Sequence, residues 1–110
     1  MANNKPRAYT EEEMREKFLN QIRSLITYWN GESGSNVPKE YTSRERMEGL
    51  VHSILVMFDG GSGMMPAFNI SVVSTDDDME FFKEQGENWY VNGQVINDCQ
   101  LHEEFFARKD

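Results

Sequence analysis

The amino-acid sequence predicts an α+β fold in a single compact domain: four helices and a small three-stranded antiparallel sheet, in the order α-α-β-α-β-β-α. Four segments repeat apolar residues at spacings of three and four, which is the period of a helix. Residues 67–73 largely alternate in polarity, and residues 89–96 place Asn92 and Gly93 between two mostly apolar triplets. These patterns indicate one strand and one tight hairpin of two further strands. The chain has 110 residues, a length typical of one domain.

The four helices are predicted over residues 11–29, 43–58, 76–85 and 98–107. The second is the most hydrophobic segment of the chain, so we expect it to be the central helix. Each predicted start has a residue that caps a helix and a partner three residues later, which is the pattern of a capping box. The four pairs are Thr10 with Glu13, Thr42 with Glu45, Thr75 with Asp78, and Asn97 with Gln100.

The segments that connect or flank these helices are predicted to be mobile in three places. Residues 31–41 are polar and interrupted by glycine and proline, which is typical of a mobile loop. Residues 1–9 and 108–110 are predicted to be flexible chain ends. Gly31 and Gly86 follow predicted helices and are expected to end them.

The stretch MFDGGSGMMP, residues 57–66, contains three glycines and a serine in succession. A phosphate-binding loop follows a strand and opens a helix whose N-terminus faces the phosphate. Here the glycines follow the second predicted helix, at the negative end of its dipole, and Asp59 adds a further negative charge. We therefore expect Gly60 or Gly61 to cap that helix in a left-handed conformation, so that the loop turns the chain and holds no nucleotide.

The composition favours a soluble cytoplasmic protein. Cys99 is the only cysteine, so no disulfide can form within the chain, and a reducing compartment is expected. The N-terminal residues lack the apolar run of a signal peptide. The longest apolar run, residues 54–58, is much too short to span a membrane.

The net charge of −8 arises entirely from the second half of the chain. Residues 1–58 contain eight acidic and eight basic residues, whereas residues 59–110 contain eleven acidic and three basic residues. Such an acidic field repels nucleic acids and anionic membranes. It favours a protein partner with a basic surface, self-association, or a purely solubilising role.

A candidate binding surface is predicted within the acidic half. Three successive aspartates begin the third helix, although the helix dipole alone is sufficient to stabilise them. Trp89 and Tyr90 are neighbours on a predicted strand, so one is expected to enter the core and the other to lie exposed among carboxylates. The two methionines of the glycine loop are expected to be exposed and adaptable. The candidate residues are Met64, Met65, Asp76, Asp77, Asp78, Glu87, Trp89 and Tyr90.

An alternative metal site is predicted from the few residues of the chain that bind transition metals. Cys99 and His102 lie close together in the fourth predicted helix, and His52 lies in the second. With a neighbouring carboxylate, these side chains suit zinc. However, the H-E-x-x-H motif is absent, and a half-buried cysteine beside a locally paired histidine explains the same residues. The candidate ligands are His52, Asp98, Cys99, His102 and Glu103.

Two functional hypotheses follow from these features. The first is a small, acidic, non-enzymatic protein that binds a basic protein surface. An accessory protein of a phage or of a bacterial defence locus that imitates nucleic-acid charge is one example. No convergent set of catalytic residues is apparent in the sequence, and no cofactor is expected. The second hypothesis is a small metal-dependent enzyme or metal sensor, which requires His52 and His102 to converge.

Overall fold

The computed structural model describes residues 6–32 and 34–107. Within these ranges the chain forms four helices, and the first two match their predicted bounds. The third ends one residue early and the fourth begins three residues late. The predicted flexibility of residues 1–5 and 108–110 concerns residues outside the described ranges. The helices are α1 (Glu11–Trp29), α2 (Ser43–Phe58), α3 (Asp76–Glu84) and α4 (Leu101–Ala107).

Contacts within the chain divide it into two units, Met1–Leu50 and Val51–Asp110. In the first unit, the start of α1 is closed by the predicted capping box. The Thr10 backbone N–H donates to Glu13 Oε1 at 2.9 Å, and the Glu13 N–H donates to Thr10 Oγ1 at 3.1 Å. Two orphan donors at the helix N-terminus are thereby satisfied by side chains close in sequence. Thr42 and Glu45 close the start of α2 in the same way.

Gly49 allows α1 and the first part of α2 to pack closely. A Cβ atom at this position would overlap the Trp29 indole, so the ring occupies space that any other residue would need. The connection between the two helices is held from α2 by Arg46, whose guanidinium donates to the carbonyls of Trp29 and Pro38 at 3.1 and 3.4 Å. The mobility of residues 31–41 stays a prediction, although Val37 within that segment is buried.

Three helices end at a glycine, as predicted, and each of these glycines has positive φ. Gly31, Gly60 and Gly86 have φ of 78°, 88° and 71°. At the end of α2, the Gly60 N–H donates to the Met57 carbonyl at 3.1 Å and the Gly61 N–H donates to the Val56 carbonyl at 2.9 Å. This pair of bonds is the Schellman motif, which satisfies the last free carbonyls of a helix. The glycine loop therefore ends α2 and turns the chain.

The predicted three-stranded sheet is wrong, and so is the α+β class. In the described residues there is no strand, only an isolated antiparallel bridge between Ser71 and Val95. About half of the described residues are helical, so the fold is mostly α. The alternating segment 67–73 does run beside residues 93–96, because the Val72 N–H donates to the Gln94 carbonyl at 2.8 Å, but the pairing is too short to make a sheet.

The predicted hairpin is wrong because Asn92 does not adopt the conformation that its turn requires. A type I′ turn needs positive φ at both Asn92 and Gly93, and of these only Gly93 has it, at +83°. Asn92 instead accepts a hydrogen bond from the Ser74 N–H at 2.9 Å through its side chain. Residues 93–96 consequently pair with the earlier segment 70–72, as when the Ile96 N–H donates to the Ile70 carbonyl at 2.9 Å.

The fourth capping box is also wrong, which explains the later start of α4. The Asn97 side chain accepts from the Ile70 N–H at 2.8 Å and donates to the Phe68 carbonyl. These bonds tie the segment before α4 to residues 68–70. Asn97 is therefore unable to cap a helix at residue 98, and α4 begins at Leu101.

The second unit has a small core. Met57 is 1% exposed and Met65 is 7% exposed, and the rings of Phe58 and Phe68 meet edge to face at 5.7 Å. Within the described residues, no helix has both the length and the apolar character needed to cross a bilayer.

We predict that Gly60→Ala destabilises the protein by about 1–2 kcal/mol, because an L-residue is strained in the left-handed region. The added Cβ would also lie 3.0 Å from the Cβ of Ala67. Urea unfolding measures this change. Gly63→Ala is the matched control, since Gly63 lies outside the left-handed region and a Cβ added there would meet no atom within 4 Å. Equal stabilities of the two variants would contradict the proposed role of Gly60.

Candidate functional site

The three aspartates at the start of α3 are all exposed, but they do different things. Asp78 completes a capping box: its N–H donates to Thr75 Oγ1 at 3.1 Å, and its carboxylate accepts from the Thr75 N–H at 3.5 Å. Within the described residues, the carboxylates of Asp76 and Asp77 have no hydrogen-bond or ion-pair partner. They are stabilised by the helix dipole and remain available to a ligand.

Trp89 and Tyr90 both lie at the surface, so the expectation that one of them enters the core is wrong. Their exposed fractions are 45% and 64%. The reason is that residues 89–91 are not a strand over a core. The turn at Gly86 brings them beside the end of α3, where the Tyr90 ring meets Phe82 edge to face at 5.7 Å.

Lys83 connects α3 to Trp89. Its Nζ lies 4.8 Å from the centroid of the indole, within the range of a cation–π interaction. Phe81 is 57% exposed on the same helix, and Glu87 is exposed in the turn that follows. We call this whole group the acidic aromatic surface. It comprises Asp76, Asp77, Asp78, Phe81, Lys83, Glu87, Trp89 and Tyr90.

The two methionines of the glycine loop differ in exposure. Met64 is 70% exposed, whereas Met65 is 7% exposed. The expectation of two exposed methionines is therefore wrong for Met65, whose burial in the small core of the second unit is favoured by the hydrophobic effect. Met64 alone could take part in binding.

A second cluster joins α2 to α4 inside the second unit; it consists of His52, Asp59, His102 and Phe106, and we call it the histidine cluster. Asp59 Oδ2 accepts from the backbone N–H of His102 at 2.9 Å and lies 2.7 Å from His102 Nδ1. The His52 ring lies 5.5 Å from that of His102 and 5.2 Å from that of Phe106, between centroids. The structure thus brings together the two histidines that the sequence singled out.

Asp59 is the functional residue that sequence reasoning missed. The sequence indicates it only as a negative charge in the glycine loop, yet its side chain is completely buried and takes the place of a local cap for α4. The sequence feature that could have indicated this role is the spacing of seven residues between His52 and Asp59. That spacing places both residues on one face of α2, two turns apart. Because Asp59 meets His102 and His52 meets Phe106, α4 runs antiparallel to the end of α2.

Opposing effects act on the Asp59 carboxyl. Burial by itself raises its pKa, since a carboxylate is poorly solvated inside a protein. Hydrogen bonds from the backbone and ring of His102 and from the Leu101 N–H favour the ionised form, as does the charge of a protonated His102. The combined effect of these bonds and charges is larger than the effect of burial, so the pKa of Asp59 is lowered. Asp59 therefore stays ionised at neutral pH and fixes which ring nitrogen of His102 faces away from it.

The remaining predicted metal ligands lie apart from this arrangement. Cys99 is exposed and lines an open cavity of about 420 Å³ together with Leu101 and Phe105, and His102 does not line this cavity. Asp98 and Glu103 are exposed. Across residues 6–32 and 34–107, no three or more His, Cys, Asp or Glu side chains are grouped so as to hold a metal ion.

Comparisons with known proteins add no relative. No protein-family model matches the chain, and no curated protein and no solved structure is significantly similar to it.

We predict that Asp59→Ala lowers the free energy of unfolding by about 1.5–3 kcal/mol, the usual worth of hydrogen bonds to a charged group. Urea unfolding measures the loss, and amide hydrogen exchange should show α4 opening most. Asp98→Ala is the control, because it removes an exposed carboxylate just before the same helix. Equal losses in both variants would show that Asp59 does not hold α4.

The contribution of Asp59 to the stability of the protein is expected to depend on pH. A carboxyl whose pKa is lowered on folding stabilises the protein above its unfolded pKa, and this contribution is lost as the pH falls through the folded value. The stability difference between the wild type and Asp59→Ala should therefore be complete at neutral pH and shrink below the ordinary pKa of 3.8.

Proposed function

We propose that this chain is a non-enzymatic binding protein whose acidic aromatic surface docks a basic segment of a partner protein. The observation that carries the proposal is the exposure of Trp89 and Tyr90 in a segment rich in exposed carboxylates. Of these, the side chains of Asp76, Asp77 and Glu87 form no hydrogen bond or ion pair within the described residues. Aromatic side chains are enriched at the energetic centres of protein interfaces, where they bury much area at little entropic cost. An acidic patch around such a centre selects for basic partners.

The charge distribution supports a protein partner over a nucleic acid or a lipid surface. Lys83 is the only lysine or arginine between positions 59 and 107, so phosphate groups are repelled from this half of the chain. Steering by the acidic residues would accelerate the encounter with a basic protein. The free, exposed Cys99 fits a reducing cytoplasmic setting. An inhibitor that fills a groove meant for nucleic acid belongs to this class, and a second copy of the chain is the alternative partner.

We predict that Asp76→Asn, Asp77→Asn and Glu87→Gln combined weaken binding of a basic peptide at least about threefold, since each exposed charge pair contributes a few tenths of a kcal/mol or more. Asp78 is retained because it caps α3. The probe is an end-blocked peptide of about 12 residues with alternating lysine and glycine, titrated by calorimetry at two salt concentrations. Amide shifts in NMR spectra should change mainly within residues 76–91.

The matched control removes the same amount of charge from exposed positions of the first unit: Glu12→Gln, Glu16→Gln and Glu40→Gln. This variant should bind the peptide like the wild type. Equal losses in the two triple variants would mean that the peptide responds to net charge and not to this surface. Absence of peptide binding, with self-association that depends on the same residues, would identify a second copy as the partner instead.

A second candidate function is transition-metal binding by His52 and His102. It is favoured by their ring approach of 5.5 Å and by the bond from Asp59 to His102 Nδ1. Carboxylates commonly orient metal-binding histidines in this way, leaving the other ring nitrogen as the ligand. The two histidines supply two of the four ligands usual for zinc, so water or another chain would complete the site.

We predict for this candidate that His52→Ala and His102→Ala each weaken Zn²⁺ binding about tenfold or more in calorimetric titrations near neutral pH, because each removes one of two ligands. Cys99→Ser should leave the affinity unchanged, since Cys99 lines a cavity that His102 does not line. A loss of affinity in Cys99→Ser, or Zn²⁺ binding that survives both histidine replacements, would rule out the site.

A further inference from the structure

The strongest further observation concerns Lys83, the one basic residue of the acidic aromatic surface. Its ammonium lies over the Trp89 indole at 4.8 Å. Acidic residues surround it in the sequence, with Glu80 one helical turn before it and Glu84 and Glu87 after it. Among the residues that the structure describes, Lys83 nevertheless forms no ion pair within 4.0 Å. The Lys83 ammonium therefore lies over the face of the indole and not against a carboxylate.

The geometry points to a cation-binding site on the face of Trp89, which Lys83 occupies in the free protein and which a lysine or arginine side chain of the partner takes over on binding. This inference rests on the proposed binding function and specifies its partner. The partner must present a cationic side chain that can place its charge over the face of an indole, within a segment positive enough to be attracted by the surrounding carboxylates. Lys83 acts as an internal competitor that keeps the site closed to weakly basic chains.

Contacts on either side of Trp89 position the segment that carries it. The Gly86 cap turns the chain at the end of α3, and the Tyr90 ring rests on Phe82 next to Trp89. Trp89 itself remains 45% exposed, so a partner can reach the indole from solvent. Lys83 is a long, exposed side chain that can leave the ring without any change in the helix backbone.

The test uses the lysine–glycine peptide and the full chain. Lys83→Met should bind the peptide about two- to fivefold more tightly than the wild type, which is the range of an exposed cation–π contact converted to affinity. Lys39→Met is the charge-matched control, since Lys39 is exposed in the first unit, and the gain must exceed the gain in this control. In a Trp89→Ala background, Lys83→Met should give no gain beyond that of the control.

A direct readout separates displacement from net charge. In the free wild type, the ring current of Trp89 should shift the Lys83 Cε protons upfield. At saturation with the peptide, these protons should return to ordinary positions while peptide lysine protons move upfield. If the wild type binds the peptide with Lys83 still shifted, or if Lys83→Met gains no more than Lys39→Met, the inference is overturned and the binding proposal stands. If neither the wild type nor Lys83→Met binds the peptide, both fall.

Discussion

The requirement that helix ends satisfy their backbone groups is the constraint on which this structure depends. A short helix leaves up to about eight polar groups unpaired at its ends, and a small core contributes little to offset that loss. The chain meets the requirement locally at most ends, through capping boxes at the starts of α1, α2 and α3 and through left-handed glycines after them. Among the described helices, α4 is the one whose start is held by a side chain distant in the sequence, the buried carboxylate of Asp59.

In the second unit, Asp59 holds both the start of α4 and the ring of His102. Asp59 binds the helix and the His102 ring together, so the position of α4 and the orientation of the imidazole are set by one carboxylate. His52 approaches the same ring from α2. The result is a pair of histidines in which the His102 ring is held by a carboxylate and the His52 ring lies edge to face against it.

The acidic aromatic surface also depends on how a helix ends. Because the glycine at position 86 ends α3 and no strand follows in the described residues, Trp89 and Tyr90 pack against the outside of a helix and stay exposed. Carboxylates lie at the start of α3 and the Trp89 indole follows its end, with Lys83 between them in the sequence. A surface of this kind combines negative charge with exposed aromatic side chains, and the proposed binding of a basic chain rests on these two features.

Sequence alone determined the features that depend on residues within about five positions of one another. The bounds of α1 and α2, three capping boxes and the left-handed glycine at the end of α2 all follow from such local interactions. The concentration of negative charge after residue 58 is likewise a property of the sequence. Local rules also favoured a hairpin at Asn92, where the asparagine side chain bonded Ser74 instead.

Tertiary structure alone decided the features whose partners are far apart in the chain. Asn97 could serve as a cap or as a bridge, and the backbone of Ile70, 27 residues away, made it a bridge. Asp59 and His102 are 43 residues apart, and nothing local to either predicts their bond. The exposure of both Trp89 and Tyr90 followed because the segment that carries them is not a strand lying over a core. Each of these outcomes depends on which distant group lies in contact with a hydrogen-bonding or apolar side chain in the folded chain. A local sequence pattern contains no information about that group.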